Sequence, residues 1–551
     1  MARQSNTPIP FAQTTRVDTV TRMSSGRAGV VVPMTYIPIL RGDSASGSVG
    51  IDFDLAEMPK PLRNAVTVNA QAWWVPKAHY PQFAGYDEFL ASYHGEKIKS
   101  LGAADRDPPP FFHTISGAAL TTAINSDLFK TLGIHVPPGM PINAEMIDAF
   151  VLAYNFRLAA HSSKLQRRKY AQEDIAEATA LPRAFWPSYR FSRVVPDYDR
   201  ALVVGALDLD IVAGQVPVDL DAWTSAMRTK AGGTISSGSW PLAIKRDDPK
   251  NTGKLFNGAG DVEMEIGFAT TIFGDLAGQR LISSLADIDK ARQHQHFARM
   301  HAAYAGADPT GFANADAVVA DLMQGFAVPH DYNTRPYLLD SQRVGFGMVQ
   351  RHATDAANLD QSVSQGTARI ALSLNLPRTE TGGMIVVIAE VLPERLDERQ
   401  SDEHLIMVDP ADLPDALRDV LRVEPVDPVL NRRLDAKHVA PDGLYGYEPM
   451  NAKWQRESTM LGGSFYQQTP GAPWTEARSA LWLPEIVNPA FTNEHYLAPS
   501  PFPHDVFADA QAPAFEFVCR HALTIRGNTQ IGDVLVENND DFEAVANMTE
   551  E

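Results

Sequence analysis

A mainly β protein is the fold class the sequence predicts, with sheets packed face to face and connecting loops grown into helical and irregular subdomains. Three observations predict it. Several segments alternate apolar and polar residues with a period of two, the signature of a strand covered on one face. Strand-like text stands before residue 80 and again after 510, with long mixed segments between. Glycine (37) and proline (39) are both plentiful in 551 residues, which suits many turns and long ordered loops better than a helical bundle.

Taken in order, residues 1–26 are polar and read as a flexible N-terminal arm. Val30–Leu40 reads as a strand interrupted by Pro33 and Pro38, hence an edge or a bend. In Val66–Val75, the residues Val66, Val68, Ala70, Ala72 and Trp74 face one way, while Thr67, Asn69, Gln71 and Trp73 face the other. That alternation predicts a buried Trp74 and an outward Trp73. Ile142–Phe156 carries Ile142, Met146, Ala149, Phe150, Ala153 and Phe156 at helical spacing. Ser284 with Asp287 resembles a capping box opening a helix that runs to about Tyr304. Ile370, Leu372, Leu374 and Leu376 alternate with polar or small residues, whereas Met384–Leu392 is apolar at nearly every position and reads as a strand covered on both faces. Phe515, Phe517, Cys519, His521, Leu523 and Ile525 share one face of a last strand. Residues 537–551 form an acidic tail. No repeat or low-complexity linker divides residues 27–536, so one large unit with insertions is expected.

Composition narrows the function. With 44% hydrophobic and 21% charged residues the chain is an ordinary globular one. Its formal charge of −19 supplies no global positive field for wrapping nucleic acid, so any DNA contact must be local or mediated by a basic partner. A single cysteine, Cys519, excludes an internal disulfide framework and any Cys-based zinc cluster, as suits a reducing cytoplasm. The opening MARQSNTPIPFAQTTRVDTVTRM is polar, unlike a secretory signal, and no apolar run reaches membrane-spanning length.

Chemical motifs are scarce. G-x-S-x-G, a P-loop, G-x-G-x-x-G and H-E-x-x-H are all missing, and Thr252-Gly253-Lys254 lacks the upstream glycine of a phosphate cradle. Asp208 and Asp210 share one strand face and read as a solvated face before an acid/base or cation pair. His294 and His296 diverge on a helix, and His301 lies two turns from His294, so the three do not make a metal site. Cys519 and His521 share a face as a nucleophile and base would, but that face is apolar and places both in the core. Arg41-Gly42-Asp43 spells an adhesion tripeptide and reads first as a turn. Trp73, Trp74, Trp454, Trp474 and Trp482 read as core or interface residues. The expectation is no catalytic residue, no metal and no cofactor.

Several segments resemble, in order, the major capsid proteins of the Microviridae. These are GRAGVVVPMTYIPILRGDS from Gly26, then GIDFDLAEMPKPLRNAVTVNAQAWWVPKAHY, then AFVLAYNFR from Ala149. Arg335-Pro336-Tyr337 with Ser341-Gln342-Arg343 is similar to a family stretch, lacking its Glu. Most specific is DPVLNRRLDAKHV from Asp427, followed by YGYEPMNAKWQRESTMLGGSFY from Tyr445. The segment 197–279 matches poorly and is a candidate variable surface insertion, of the kind that forms threefold protrusions in some relatives. The resemblance implies an eight-stranded antiparallel jelly roll and a non-enzymatic structural role, in a T=1 icosahedral capsid around a circular single-stranded DNA phage genome. Implied partners are other copies of the chain, a spike protein, a DNA pilot protein, a small basic DNA-binding protein and the encapsidated DNA. The virion is the implied location, with assembly in the host cytoplasm. Since Arg3, Arg16, Arg22 and Arg27 stand against Asp18 alone in the arm, they are the candidate DNA contacts. Two classes compete: a glycan-binding or glycan-active β-sandwich protein, which would normally carry a secretory signal, and a structural protein of another virus type with the same barrel, from which the ordered motifs between Asp427 and Tyr466 separate it.

Overall fold

The computed structural model describes residues 13–198 and 335–532, apart from 99–104, 138, 163–164, 353–361, 411–412, 423–424, 456–458 and 467–477, together with four short strands between 215 and 275. The chain divides into two compact units, Met1–Tyr198 with Phe297–Glu551, and Asp199–His296. In the second, Gln215–Pro217 pairs antiparallel with Phe273–Asp275, and Ala243–Ile244 with Met264–Glu265. The segment 197–279 falls almost wholly within that unit. The helix expected from Ser284 to Tyr304 lies outside the described residues, as does the acidic tail.

The first unit is mainly β and antiparallel. In chain order it contains β1 (Thr14–Gly26), β2 (Val31–Ile39), β3 (Ser44–Leu55) and β4 (Val66–Pro76). Helices α1 (Tyr86–His94), α2 (Gly117–Ile124), α3 (Asp127–Leu132), α4 (Glu145–His161) and α5 (Ile175–Thr179) follow. Then come β5 (Tyr337–Gly345), β6 (Gly347–His352), β7 (Ser362–Leu376) and β8 (Gly383–Pro393). Short helices α6 (Glu403–Ile406) and α7 (Ala416–Val420) precede β9 (Val426–Leu430), α8 (Asn431–Leu434) and β10 (Leu444–Pro449), and β11 (Phe515–Gly527) closes the series. One sheet has the order β1-β11-β3-β7-β6, the other β5-β4-β8-β2.

The inner faces of the two sheets share one hydrophobic core. Cys519 of β11 stands opposite Ile51 of β3, which in turn faces Ile370 of β7. From the other sheet, Trp74 of β4 stands opposite Ile385 of β8, and Ile385 opposite Ile37 of β2. All six of these side chains are buried within a single cluster. On one side the sheets are linked through β5, where Asp340 and Gln342 accept from the backbone N–H groups of Ser373 and Ala371 of β7. On the other side, β1 and β2 meet through polar contacts described below.

Two expectations need correction. Residues 14–26 are not part of a flexible arm: they form β1, paired with β11 along the whole strand from Thr14↔Gly527 to Gly26↔Phe515. The alternation is present, but the inward set holds Arg16, Asp18 and Arg22 beside Val20, while Val17 and Met23 point outward, 70% and 76% exposed. Trp73 does not face solvent. It is 6% exposed because α4 covers that face of β4, with the Phe156 ring 5.7 Å from the indole. β2 is an edge strand, and Pro33 sits where its register with β8 slips, between the partners of Val387 and Ile388.

The helix expected over Ile142–Phe156 begins at Glu145 and extends to His161. Ile142–Asn143 instead pairs with Thr114–Ile115, and the Asn143 side chain accepts from the Glu145 N–H. α4 is buried almost all round, and is fastened to β8 by Glu390. That carboxylate accepts from Arg157 (2.7 Å), Asn69 (2.8 Å) and the Phe185 N–H (3.1 Å). A buried charge with three donors is satisfied, so the outer face of this sheet can be dry.

Candidate functional site

The arginines singled out by sequence do not gather on a surface. Arg3 lies outside the described residues. Arg16 points inward from β1, donating to Asp43 at 2.5 Å and to Thr529 at 3.1 Å. Arg22 also points inward, to Thr35 at 3.3 Å and the Leu132 carbonyl at 2.5 Å, with its guanidinium 4.9 Å from the Tyr36 ring centroid. Arg27 is exposed, but donates to the carbonyls of Gln511 and Ala510. These three hold β1 and its exit against the rest of the chain. Forks already committed to protein acceptors are poorly placed to grip phosphate.

Between Arg16 and Arg22, Asp18 of β1 reaches His521 of β11 at 3.2 Å, and the other ring nitrogen of His521 lies 2.9 Å from Thr35 of β2. The order carboxylate, imidazole, hydroxyl resembles a nucleophilic triad. Thr35 is fully buried, however, and no substrate carbonyl can approach it. Burial lowers the His521 pKa, opposed by Asp18 and assisted by Arg22. The constellation is a polar latch joining the edge strand to both sheets. Cys519, two residues earlier on the same face, is 1% exposed and its thiol is pushed up to about 12 by burial, so it is not a nucleophile at neutral pH.

The tripeptide Arg41-Gly42-Asp43 is a turn. Gly42 takes φ +84°, Asp43 N–H donates to the Leu40 carbonyl, and the Asp43 carboxylate is buried against Arg16 and the Leu40 N–H. An adhesion receptor needs that carboxylate in solvent. Trp74 and Trp482 are buried, the latter edge-on to Phe502 and Phe507. Asp208, Asp210, Thr252-Gly253-Lys254, His294, His296, His301 and Trp474 lie outside the described residues. Among the described residues no group of three His, Cys, Asp or Glu is placed to hold a metal ion, and no helix is long and apolar enough to cross a membrane.

Sequence reasoning missed one polar centre. Arg395 is 7% exposed, donates to the carbonyls of Glu494 and His495, and lies 4.3 Å from the Tyr189 ring centroid. The hydroxyls of Tyr189 and Tyr445 both lie within hydrogen-bond reach of His495, at 3.1 and 2.9 Å. Burial and Arg395 pull the His495 pKa down to about 3, while burial raises that of Asp397 against the pull of Arg395. Beside them opens a cavity of about 240 Å³ whose walls include Ser188, Arg190, Glu394 and Gln400. The members come from positions 189, 395, 445 and 495, so no local pattern could announce them. The centre ties together segments that flank β8 and β10, and the Nε of Arg395 and the Nε2 of His495 stay buried in it without a hydrogen-bond partner among the described residues.

The outer surfaces complete the picture. Among the described residues no helix packs on the outward face of β11 and its neighbours, where the short side chains Thr19, Ala522, Ser48 and Ser373 form one row across β1, β11, β3 and β7. Large exposed apolar side chains concentrate elsewhere, in the segment from Leu405 to Leu421. Comparison with protein-family models and with curated proteins finds no match.

Proposed function

We propose that the chain is the shell-forming subunit of a small icosahedral single-stranded DNA phage of the microvirus type, and that its sandwich is a viral jelly roll. The strand order carries this reading. Leaving out the short β6, eight strands form two sheets of four, β1-β11-β3-β7 and β2-β8-β4-β5. Along the chain they alternate between the sheets except at the β4 to β5 step, which is the double Greek-key path of a jelly roll. The segments that resemble the capsid family fall on structural landmarks. GRAGVVVPMTYIPILRGDS supplies β2 and the turn after it, and DPVLN and YGYEP supply β9 and β10, which pair with each other.

In this reading the work of the protein is association. Identical subunits joined through several different surfaces close into a shell when the rotations close. Contacts that are each weak add up when every subunit makes several at once. The Asp199–His296 unit would be the variable surface insertion. DNA is neutralised chiefly by a separate basic peptide, since Arg16, Arg22 and Arg27 are committed to the fold and the chain carries 67 acidic against 48 basic residues. Electron microscopy of the full-length chain tests the reading: closed particles of uniform diameter support it, and a folded monomer at every concentration refutes it.

A further inference from the structure

We propose that β1 is an acid-released strap: protonation of His521 frees the strand from the sandwich while the rest of the fold holds. The device is a property of the fold, and holds whether or not the chain forms a shell.

β1 is fastened by its backbone pairing to β11 and by polar side chains, with little apolar burial. Val17 and Met23 point outward, and the inward residues Arg16, Asp18, Val20 and Arg22 are all part-exposed. Among the described residues the strand also stands at the edge of its sheet. A segment with few buried apolar contacts opens at lower cost than the core strands beside it.

The polar contacts beneath β1 form a chain with a fixed direction. Arg22 can only donate, and its Nε gives a hydrogen bond to Thr35 Oγ1 at 3.3 Å. Ionised Asp18 can only accept, so the His521 Nε2 that lies 3.2 Å away carries the hydrogen. Neutral His521 then has a bare Nδ1, which accepts from the Thr35 hydroxyl at 2.9 Å. Every link is satisfied. Protonation puts a second hydrogen on Nδ1, and the ring becomes a donor at both ends. Thr35 Oγ1 then faces two donors, and its own hydrogen loses its acceptor. Thr35 is fully buried and makes no other hydrogen bond among the described residues, so that hydrogen is stranded.

Charge acts in the same direction. With His521 neutral, Arg16 and Arg22 balance Asp18 and Asp43, and Asp43 is tied to Arg16. Protonation leaves one positive charge in excess, favoured by Asp18 and opposed by burial and by Arg22. Among the described residues no further carboxylate answers it. β2 is uncharged and brings Thr35 and Tyr36. Val49 of β3 stands opposite His521. On β11 the inward neighbours are Cys519 and Leu523, and Arg520 is exposed. From α3 the Leu132 carbonyl accepts from Arg22, while Asp127 and Lys130 are exposed. Opening β1 hydrates the imidazolium and frees Thr35 together.

The closed strand refuses a proton that the open strand takes, so opening is favoured as pH falls below about 6.5. Hydrogen–deuterium exchange of the full-length chain, corrected for the intrinsic pH dependence of exchange, reads the opening on peptides from β1 and from β8. Protection of β1 is expected to fall about tenfold between about pH 7 and about pH 5, with β1 exchanging well ahead of β8 at both. His521→Gln keeps a donor for Asp18 and an acceptor for Thr35 but does not titrate, and should abolish the fall in β1. Equal protection of β1 at the two pH values overturns the proposal, and so does exchange of β1 in step with β8. Both of these outcomes are read on the wild-type chain, so the proposal is decided even where the variant does not fold. A fall that persists undiminished in folded His521→Gln overturns it as well.

Discussion

The two sheets of the sandwich are built from similar strands and treated in opposite ways. In β8 every residue from Met384 to Pro393 is buried, because α4 lies across the outer face and Glu390 fastens it there. In β11, buried residues alternate with mostly exposed ones over the whole strand, and among the described residues no helix packs across the outer face. The difference is one of commitment. The covered sheet has spent its outer surface inside the subunit, and its stability depends on dry, matched packing. The bare sheet leaves its outer surface free, so that surface can change with little effect on the fold.

The sharpest way to break this comparison is to place the same charge on both outer faces. Val386 of β8 stands opposite Trp73 and is 2% exposed, so Val386→Asp leaves an uncompensated buried charge and is expected to cost about 3–5 kcal/mol. Ala522→Asp on β11 should change stability by no more than about 0.5 kcal/mol. Urea midpoints of the two variants measure the contrast, and equal losses would dissolve it.

Ion pairs give the next largest contrast. Arg157→Leu removes the strongest donor to buried Glu390 and should cost about 3–5 kcal/mol. On the bare sheet, Arg369 and Asp52 lie 3.4 Å apart with Arg369 80% exposed, and Arg369→Leu should cost at most about 1 kcal/mol. A large loss at Arg369 would show that the bare face is covered after all.

Acid probes both regions together. His161 and Glu390 share the covered layer, His521 lies behind the bare sheet, and His495 sits in the Arg395 centre. Burial lowers the pKa of all three histidines, that of His495 to about 3. As pH falls below about 6.5 the unfolded chain takes up protons that the folded chain refuses. Stability is therefore lost with falling pH, from about 6.5 down towards 3. Denaturation midpoints against pH should fall across that window, and His495→Gln should flatten the slope. A midpoint that rises on acidification contradicts the buried neutral histidines.

The smallest effect is kinetic. Cys519 is buried on the inner face of β11 with its thiol raised to about 12, so a water-soluble maleimide should label it only as fast as the strand opens. Rapid labelling under native conditions would mean that the bare sheet frays from β1 inward.

Much of this sandwich is legible in the sequence. The alternation in β4, β7 and β11 and the continuous apolar run of β8 specify both the strands and their faces. What escaped is instructive. β1 alternates as strictly as β11, but its inward positions include Arg16, Asp18 and Arg22, so a reading that seeks apolar residues inside finds no strand. Trp73 alternates outward and is buried because a helix from elsewhere in the chain covers it. The Arg395 centre joins four distant positions, and its members have no local signature.

Assembly tests the central claim most directly. Full-length chain at rising concentration, imaged by electron microscopy with symmetry averaging, should pass from free subunits to closed particles of one diameter with icosahedral symmetry. A correctly folded chain that remains monomeric throughout, or that grows into open sheets or filaments without closing, would contradict it.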